Sequence, residues 1–397
     1  MSEQPLLLLV VSTSRGEAEA YVSAAQQAGA RVACIARENA VPSTTEIPLP
    51  TPRLSVEEAV TVVDEWGQTP TGVLGVGLMG GVVAAHLNVH FGLDGHTPGG
   101  IGITANRERL LRRLGSADLE LPEFRVVKEP DWDAGVLFEI QPPFVMTPAI
   151  RRDVESRIGV VTREEAQNLL EDPATTLARL GSPPGVVVEE TQRKGKTLIA
   201  TGITHQGHFY PLAFVERIGE LEDADRVDTW FCSPTTESDR LLERVCRMAA
   251  SACSTIGLDD GPVQAVFRID EEKAVLTDVV GHPPPVSVGR TFRFGKGYTL
   301  EEVLVRHAMR IETSLDVDAE TRGVVWVGAR AQGVFDGLVG TENALTAIEV
   351  EDVGTSLSPG ESADGDGHVW VSGRGSERSR LESALQKAAN RIRIQVR

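Results

Sequence analysis

Apolar residues recur along this chain at two spacings, in short unbroken runs or alternations and at every third to fourth position. Leu6–Val11 is an unbroken run, which predicts a strand buried on both faces. Ser14–Gly29 follows as a helix with a serine cap and a terminal glycine, and Arg31–Ala36 as a second strand. With the helix Ser55–Trp66, the strand Gly72–Val76 and the helix Val82–Phe91, these elements predict a parallel α/β layer of Rossmann-like type. Further on, Thr104–Leu114 predicts a helix rich in arginine (Arg107, Arg109, Arg112, Arg113). Extended stretches at Glu123–Val127, Phe144–Met146 and Gly185–Glu190 enclose the polar loop Ala149–Arg157 and the helix Arg163–Leu170. Strands Thr197–Thr204 and His208–Phe214 meet at the turn Gln206-Gly207. Glu237–Thr255 is the longest predicted helix, with Leu241, Leu242, Val245, Cys246, Ala249, Ala252 and Cys253 on one stripe.

The stretch Gly261–Pro285 predicts a hairpin, with strands Val263–Ile269 and Ala274–Val280 joined by the turn Asp270–Lys273. Unbroken alternation puts Gln264, Val266 and Arg268 on one face. It puts Thr277 on the other face with Val275 and Val279, and points Asp278 and Val280 the same way as Leu276. Beyond the hairpin come a helix, Thr299–Ile311, and strands at Gly323–Ala331, Gly333–Phe335, Leu345–Val350 and His368–Ser372. A terminal helix, Glu377–Ile394, runs into a short strand, and Gly354–Gly367, without an apolar period, is expected as a loop.

Length and charge narrow this picture. A chain of 397 residues is too long for one ordinary core and implies two or three domains. A net charge of −18 argues against a general binder of nucleic acid or anionic membranes, because phosphates would be repelled, but leaves room for a locally basic pocket. Leu6–Val11 is too short to span a bilayer and has no basic residue before it, so it is expected as a buried strand rather than a signal sequence. Cys34, Cys232, Cys246 and Cys253 have no metal-ligand spacing, and buried reduced thiols in a cytoplasmic protein are expected.

Common catalytic signatures are weak or missing. Gly75, Gly77 and Gly80 have the GxGxxG spacing, but a lone match is a weak signal and no partner acid is evident at the right distance, so a dinucleotide site is weakly supported. Neither a Walker loop nor a Gly-x-Ser-x-Gly elbow occurs. His205 and His208 flank a turn with no acidic pair at ligand spacing and are expected as surface histidines.

Taken in order, the α/β layer, paired antiparallel strands, long helix, hairpin and βα tail resemble the ATP-grasp superfamily. Within it the chain is similar to the biotin-carboxylase-like ligases that join a carboxylate to an amine, such as amino-acid ligases. The resemblance rests on Leu93-Asp94-Gly95 through Phe124-Arg125-Val126-Val127, on Val187-Val188-Glu189-Glu190, which looks like a hinge strand over adenine, and on Ile256-Gly257 and Gly261 before the hairpin. Ser376–Ile394 is similar to the family's last helix. It implies an α/β and α+β architecture: an N-terminal Rossmann-like domain (1–103), a small lid part (104–216, with its linker helix at 104–114 and the lid about 123–190), and a large part with a βα tail (217–397). It further implies ATP held between two layers, Mg²⁺ bridging the phosphates, and a homodimer.

Carried over residue by residue, the resemblance places Arg107 where the family has a phosphate-binding lysine, and Thr147 where it has a second. Glu189 and Glu190 fall on the adenine hinge. The phosphate loop becomes Ala149–Arg157 with no glycine, so Arg151, Arg152 and Arg157 either touch phosphates or simply balance Asp153 and Glu155. The first metal ligand falls on Val266, with Gln264 as a substitute one pair along. The second falls on Asp278, and His282 stands in place of an arginine. Arg290, Arg293 and Lys296 form a basic cluster near the expected substrate mouth, where Arg290 and His282 are the candidate substrate or phosphate contacts. Two functions follow. One is a non-catalytic or repurposed ligand-binding protein, or a partner of an active ligase paralogue, with a degraded Mg-ATP site. The other is an active ATP-dependent amino-acid ligase using ATP and Mg²⁺ through atypical ligands, acting on a small carboxylate and amine.

Overall fold

The unbroken run Leu6–Val11 forms β1, and all six of its side chains are buried. It lies between β2 (Arg31–Ala36) and β4 (Gly72–Val76), with β3 (Thr45–Glu46) at the edge, all parallel. Helix α1 (Arg15–Gln27) covers one face, where Leu7, Leu9 and Val11 share a core with Tyr21 and Val22. Helices α2 (Val56–Trp66) and α3 (Leu78–Phe91) cover the other, where Leu6, Leu8 and Val10 meet Val63, Val83 and Leu87. A parallel sheet covered on both sides needs strands apolar throughout, and this sequence supplies them. This computed structural model describes residues 4–36, 41, 43–51, 54–128, 140–151, 157–191, 195–218, 229–271, 273–295, 297–328, 333–363 and 368–397.

Two short helices, α4 (Pro98–Thr104) and α5 (Arg107–Gly115), lead from this layer to a four-stranded antiparallel lid sheet. Its strands are β5 (Phe124–Lys128), β6 (Phe144–Pro148), β7 (Ile158–Val160) and β8 (Gly185–Glu190), in the order β5-β8-β6-β7. Helices α6 (Arg163–Glu171) and α7 (Pro173–Arg179) accompany it.

The largest sheet has eight antiparallel strands. They are β9 (Lys196–His205), β10 (His208–Ile218), β11 (Thr229–Ser233), β12 (Gly261–Asp270), β13 (Lys273–Val280), β14 (Thr321–Trp326), β16 (Val350–Thr355) and β17 (Val369–Gly375). Their order is β13-β12-β9-β10-β11-β14-β17-β16. A separate ribbon pairs β15 (Phe335–Val339) with β18 (Arg393–Val396). Helix α8 (Asp239–Ile256) lays its apolar stripe on the sheet, placing Leu241, Val245, Ala249 and Cys253 against Leu198, Phe267 and Leu276. It starts two residues later than periodicity predicts, because the Ser238 hydroxyl accepts from the Leu241 N–H at 3.3 Å and so caps it. It ends at Gly257, whose left-handed backbone (φ 80°) closes the last turn.

The C-terminal third departs from the expected elements. Leu345–Val350 is not a strand: Gly340 (φ 95°) turns the chain into the short helix Thr341–Ala344, and Ile348 is 91% exposed. Alternation alone cannot make a strand where nothing covers its apolar face. The strand instead begins at Val350, opposite Gly373, and occupies residues expected as loop from Gly354. A Cβ on Gly373 would meet the Glu349 carbonyl at 1.9 Å, so the missing side chain is what admits this edge. The strand expected at Gly323–Ala331 forms as β14 but ends at Trp326, the one expected at Gly333–Phe335 starts only at Phe335 and runs on to Val339 as β15, and the terminal helix stops at Ala389. Cys34, Cys232 and Cys253 are buried free thiols, as expected, whereas Cys246 is only half-buried. Among the described residues no helix is long and apolar enough to cross a membrane.

Candidate ligand-binding site

A cavity of about 480 Å³ opens between the lid sheet and the hairpin side of the eight-stranded sheet. Its size suits a small molecule or cofactor, for which pockets span about 300–1,000 Å³. Thr147, Arg151, Glu189 and Glu190 line it from the lid, and Ile199, Gln264, Arg268, Thr277 and Asp278 from the hairpin side. Phe231 and Trp326, from strands β11 and β14, add an aromatic wall that the sequence pattern did not single out.

The hairpin corrects the expected alternation. In β12–β13 Phe267 pairs with Leu276, but its neighbour Val266 pairs with Asp278, so Thr277 is an extra residue. An unbroken ladder would set Asp278 opposite Ala265, on the buried face. The bulge returns it to the cavity face, together with Thr277 and Val275, while Leu276 and Val279 stay fully buried in the core. Asp278 and Leu276 therefore point to opposite sides, and Val275 shares a face with Arg268. The Thr277 hydroxyl donates to the Val266 carbonyl at 3.1 Å and fixes the bulge.

Two arginines converge on this corner. Arg107 opens α5 behind the cap Asn106, whose side chain accepts from the Arg109 N–H at 3.0 Å. The Arg107 N–H donates to the Ala149 carbonyl at 2.8 Å, and the Arg151 N–H to the Ala105 carbonyl at 3.0 Å. The start of α5 and the chain leaving β6 are thereby stitched together, which aims both guanidiniums at the hairpin. Arg107 grips Glu189 with two nitrogens (Nε to Oε2, 2.8 Å; Nη2 to Oε1), reaches Asp278 Oδ1 with Nη1 at 3.0 Å, and donates to the Thr277 carbonyl. Arg151 holds Asp278 in a parallel fork, Nη1 to Oδ1 at 2.9 Å and Nη2 to Oδ2 at 2.6 Å.

Burial alone would raise the Asp278 carboxyl and lower Arg107. The charges win in both cases. Arg151 and Arg107 hold Asp278 at about 2, and Glu189 and Asp278 push Arg107 above its ordinary value. The four groups form a neutral cluster: two buried guanidiniums facing two carboxylates.

This arrangement does not fit a bridging Mg²⁺. Oδ1 of Asp278 already accepts from Arg107, Arg151 and the Val279 N–H at 2.8 Å, and Oδ2 from Arg151. Oδ2 keeps one acceptor position, but a cation placed there would be repelled by the two guanidiniums already bound to the same carboxylate. Val266, directly opposite Asp278, has no ligand atom. Gln264 pairs with Val280 instead, and its amide donates to the His282 carbonyl at 3.3 Å.

The cavity does suit an anion. Among the described residues five arginines (Arg107, Arg151, Arg157, Arg217, Arg268) and three carboxylates (Glu189, Glu190, Asp278) line it, in a chain that is acidic overall. Thr147 Oγ1 is buried without a hydrogen-bond partner among the described residues, a polar atom placed for a ligand to satisfy.

Of the residues the sequence singled out, Arg107, Thr147, Arg151, Glu189, Glu190, Gln264 and Asp278 line this one cavity, and Arg157 lines it too. Arg151 is 10% exposed and clasps Asp278, so it is no solvated surface charge. Arg152 and Lys296 lie outside the described residues. His282 does not line the cavity: its ring turns back to the Pro283 carbonyl at 2.9 Å, and its Cβ sits beside Gly81 of the N-terminal layer. Arg290 also lies elsewhere, over the Trp370 ring and 3.9 Å from Asp352.

A scan of protein-family models finds no match to this chain, and a sequence search of curated proteins finds none. Solved structures do match over nearly full length. An L-amino acid ligase from Bacillus licheniformis superposes with a TM-score of 0.77 at 15% identity, covering 100% of both chains. N5-carboxyaminoimidazole ribonucleotide synthetase from Thermotoga maritima gives 0.72 at 11% identity, covering 99% of this chain and 100% of the other. N5-carboxyaminoimidazole synthase from Aspergillus clavatus, in complex with ADP and 5-aminoimidazole ribonucleotide, gives 0.71 at 12% identity over 98% and 99% of the two chains. At such identities the likeness speaks for the fold alone. This chain has the ATP-grasp fold, as its order of elements leads one to expect.

Proposed function

We propose that this chain is an ATP-grasp-fold protein of the carboxylate–amine ligase lineage whose magnesium position is closed, and that it binds an anionic, nucleotide-sized ligand without metal. The observation that carries this reading is the clasp of Arg151 and Arg107 on Asp278, which commits the one carboxylate at the expected metal position. The size of the cavity, the arginines in its lining and the Thr147 hydroxyl, buried without a partner among the described residues, support an anionic occupant. Phosphoryl transfer leans on a bridging cation to neutralise developing charge, and guanidiniums already spent on Asp278 and Glu189 cannot supply it. An active ligase would first have to release Asp278 from both arginines.

Phosphate release from Mg-ATP, measured with the full chain over a panel of amino acids, tests the reading. No release above a protein-free control is expected. Turnover that saturates with any amino acid and requires Mg²⁺ would overturn it.

A further inference from the structure

A second polar cluster lies outside the cavity, where three local termini converge. His205 ends β9 at a two-residue hairpin whose tip, Gln206-Gly207, has positive φ at both positions. Asp260 immediately precedes β12, and His307 lies in the last turn of the helix Leu300–Ala308. The His205 Nδ1 is 2.8 Å from Asp260 Oδ2, and the His307 Nε2 is 2.9 Å from Oδ1. Contrary to the sequence expectation, His205 is a member of this group, whereas His208 turns to the Gln206 carbonyl.

We infer that His205, Asp260 and His307 form a binding site for a divalent transition cation of the Zn²⁺ type. One donor atom from each lies within 4.8 Å of the others. Two imidazoles and a carboxylate suit such an ion and leave a coordination position for solvent. His205 is 40% exposed, which gives the ion an entry path, while Asp260 and His307 are largely buried and supply fixed donors.

Arg310 decides how the ion enters. Its Nη2 lies 3.0 Å from Asp260 Oδ1 and its Nη1 3.4 Å from His205 Nδ1. Nδ1 thus faces a carboxylate oxygen and a guanidinium at once. A cation seated between Nδ1 and the carboxylate would draw on a lone pair from each. Asp94 Oδ2, 2.9 Å from Nη2, retains Arg310 when it yields Asp260. Metal and guanidinium therefore compete for one carboxylate, and the ion would staple the β9 tip, the start of β12 and the helix Leu300–Ala308 together.

The test uses tag-free, chelator-stripped full chain, with Zn²⁺ titrated in competition with a chromophoric chelator and thiols kept reduced. One equivalent is expected. His205→Ala and His307→Ala should each weaken it by at least about 10-fold, the loss typical when a metal site's support is removed. Arg310→Gln should tighten it, because the competing charge is gone. Circular dichroism checks that each variant is folded, and Co²⁺ in place of Zn²⁺ should give visible absorption that the histidine variants lack. Failure to take up one equivalent would overturn the inference. So would uptake unchanged in both histidine variants, which would place the ion on thiolates or mark it as adventitious.

Discussion

Arg151 clasps Asp278 with both terminal nitrogens, Nη1 to Oδ1 at 2.9 Å and Nη2 to Oδ2 at 2.6 Å. Arg107 adds a third bond to the same carboxylate and closes the other side of the cluster on Glu189. A bidentate guanidinium satisfies a carboxylate in geometry as well as charge. The four side chains come from α5, the chain after β6, strand β8 and the bulged strand β13. The lid, the linker helix and the large sheet therefore meet in one electrostatic joint.

Breaking that joint from one side is expected to be costly. Arg107→Ala leaves Glu189 buried without a counter-charge and Asp278 with one arginine. Removing a single partner from a buried pair costs about 3–5 kcal/mol. Urea unfolding of the variant should show a loss of that order. A change below about 1 kcal/mol, the scale of exposed pairs, would mean that the cluster is solvated and weak.

The same joint sets an acid limit. The Asp278 carboxyl is held at about 2 in the folded chain, against 3.8 for an unperturbed aspartate. A depressed carboxyl stabilises the fold at pH above the unfolded value, and the contribution fades as pH falls from about 4 through about 2. The difference corresponds to on the order of 2 kcal/mol. Unfolding free energies at pH 5, 4 and 3 should fall less steeply in Asp278→Asn than in the wild type. Parallel slopes would show that other carboxylates carry the acid response.

Two glycines on α4, which leads into α5, separate close approach from helix propensity. A Cβ on Gly100 would lie 2.0 Å from the Gly257 carbonyl, backbone that cannot easily retreat, whereas one on Gly102 meets nothing within 4 Å. Gly100→Ala should destabilise by about 1–3 kcal/mol as overpacking does. Gly102→Ala should be neutral or stabilising by up to about 1 kcal/mol, since alanine suits a helix interior better. Thermal melts of the pair decide it, and equal shifts would contradict the packing of α4 on the end of α8.

Much of this was legible in the chain itself. The continuous apolar run Leu6–Val11 announces a strand covered on both sides, and the stripe from Leu241 to Cys253 announces the helix on the large sheet. Helix α7 went unread although Asp172-Pro173 carries a starting signal, with the Asp172 side chain accepting from the Thr175 N–H. The bulge at Thr277 leaves no mark in an alternation pattern, because one extra residue looks like continuing strand until its partner is known. Likewise, nothing local ties Arg107 to Glu189 or Arg151 to Asp278. These contacts join residues 82 and 127 positions apart, and only the fold brings them together.

The most direct test of the closed magnesium position is calorimetric titration of the full chain with ATP, once in EDTA and once in excess Mg²⁺. Saturable binding whose Kd agrees within about twofold in the two buffers, a difference of only a few tenths of a kcal/mol, is the predicted result. Binding that appears only with Mg²⁺, or that tightens tenfold or more (about 1.4 kcal/mol) when it is added, would contradict it.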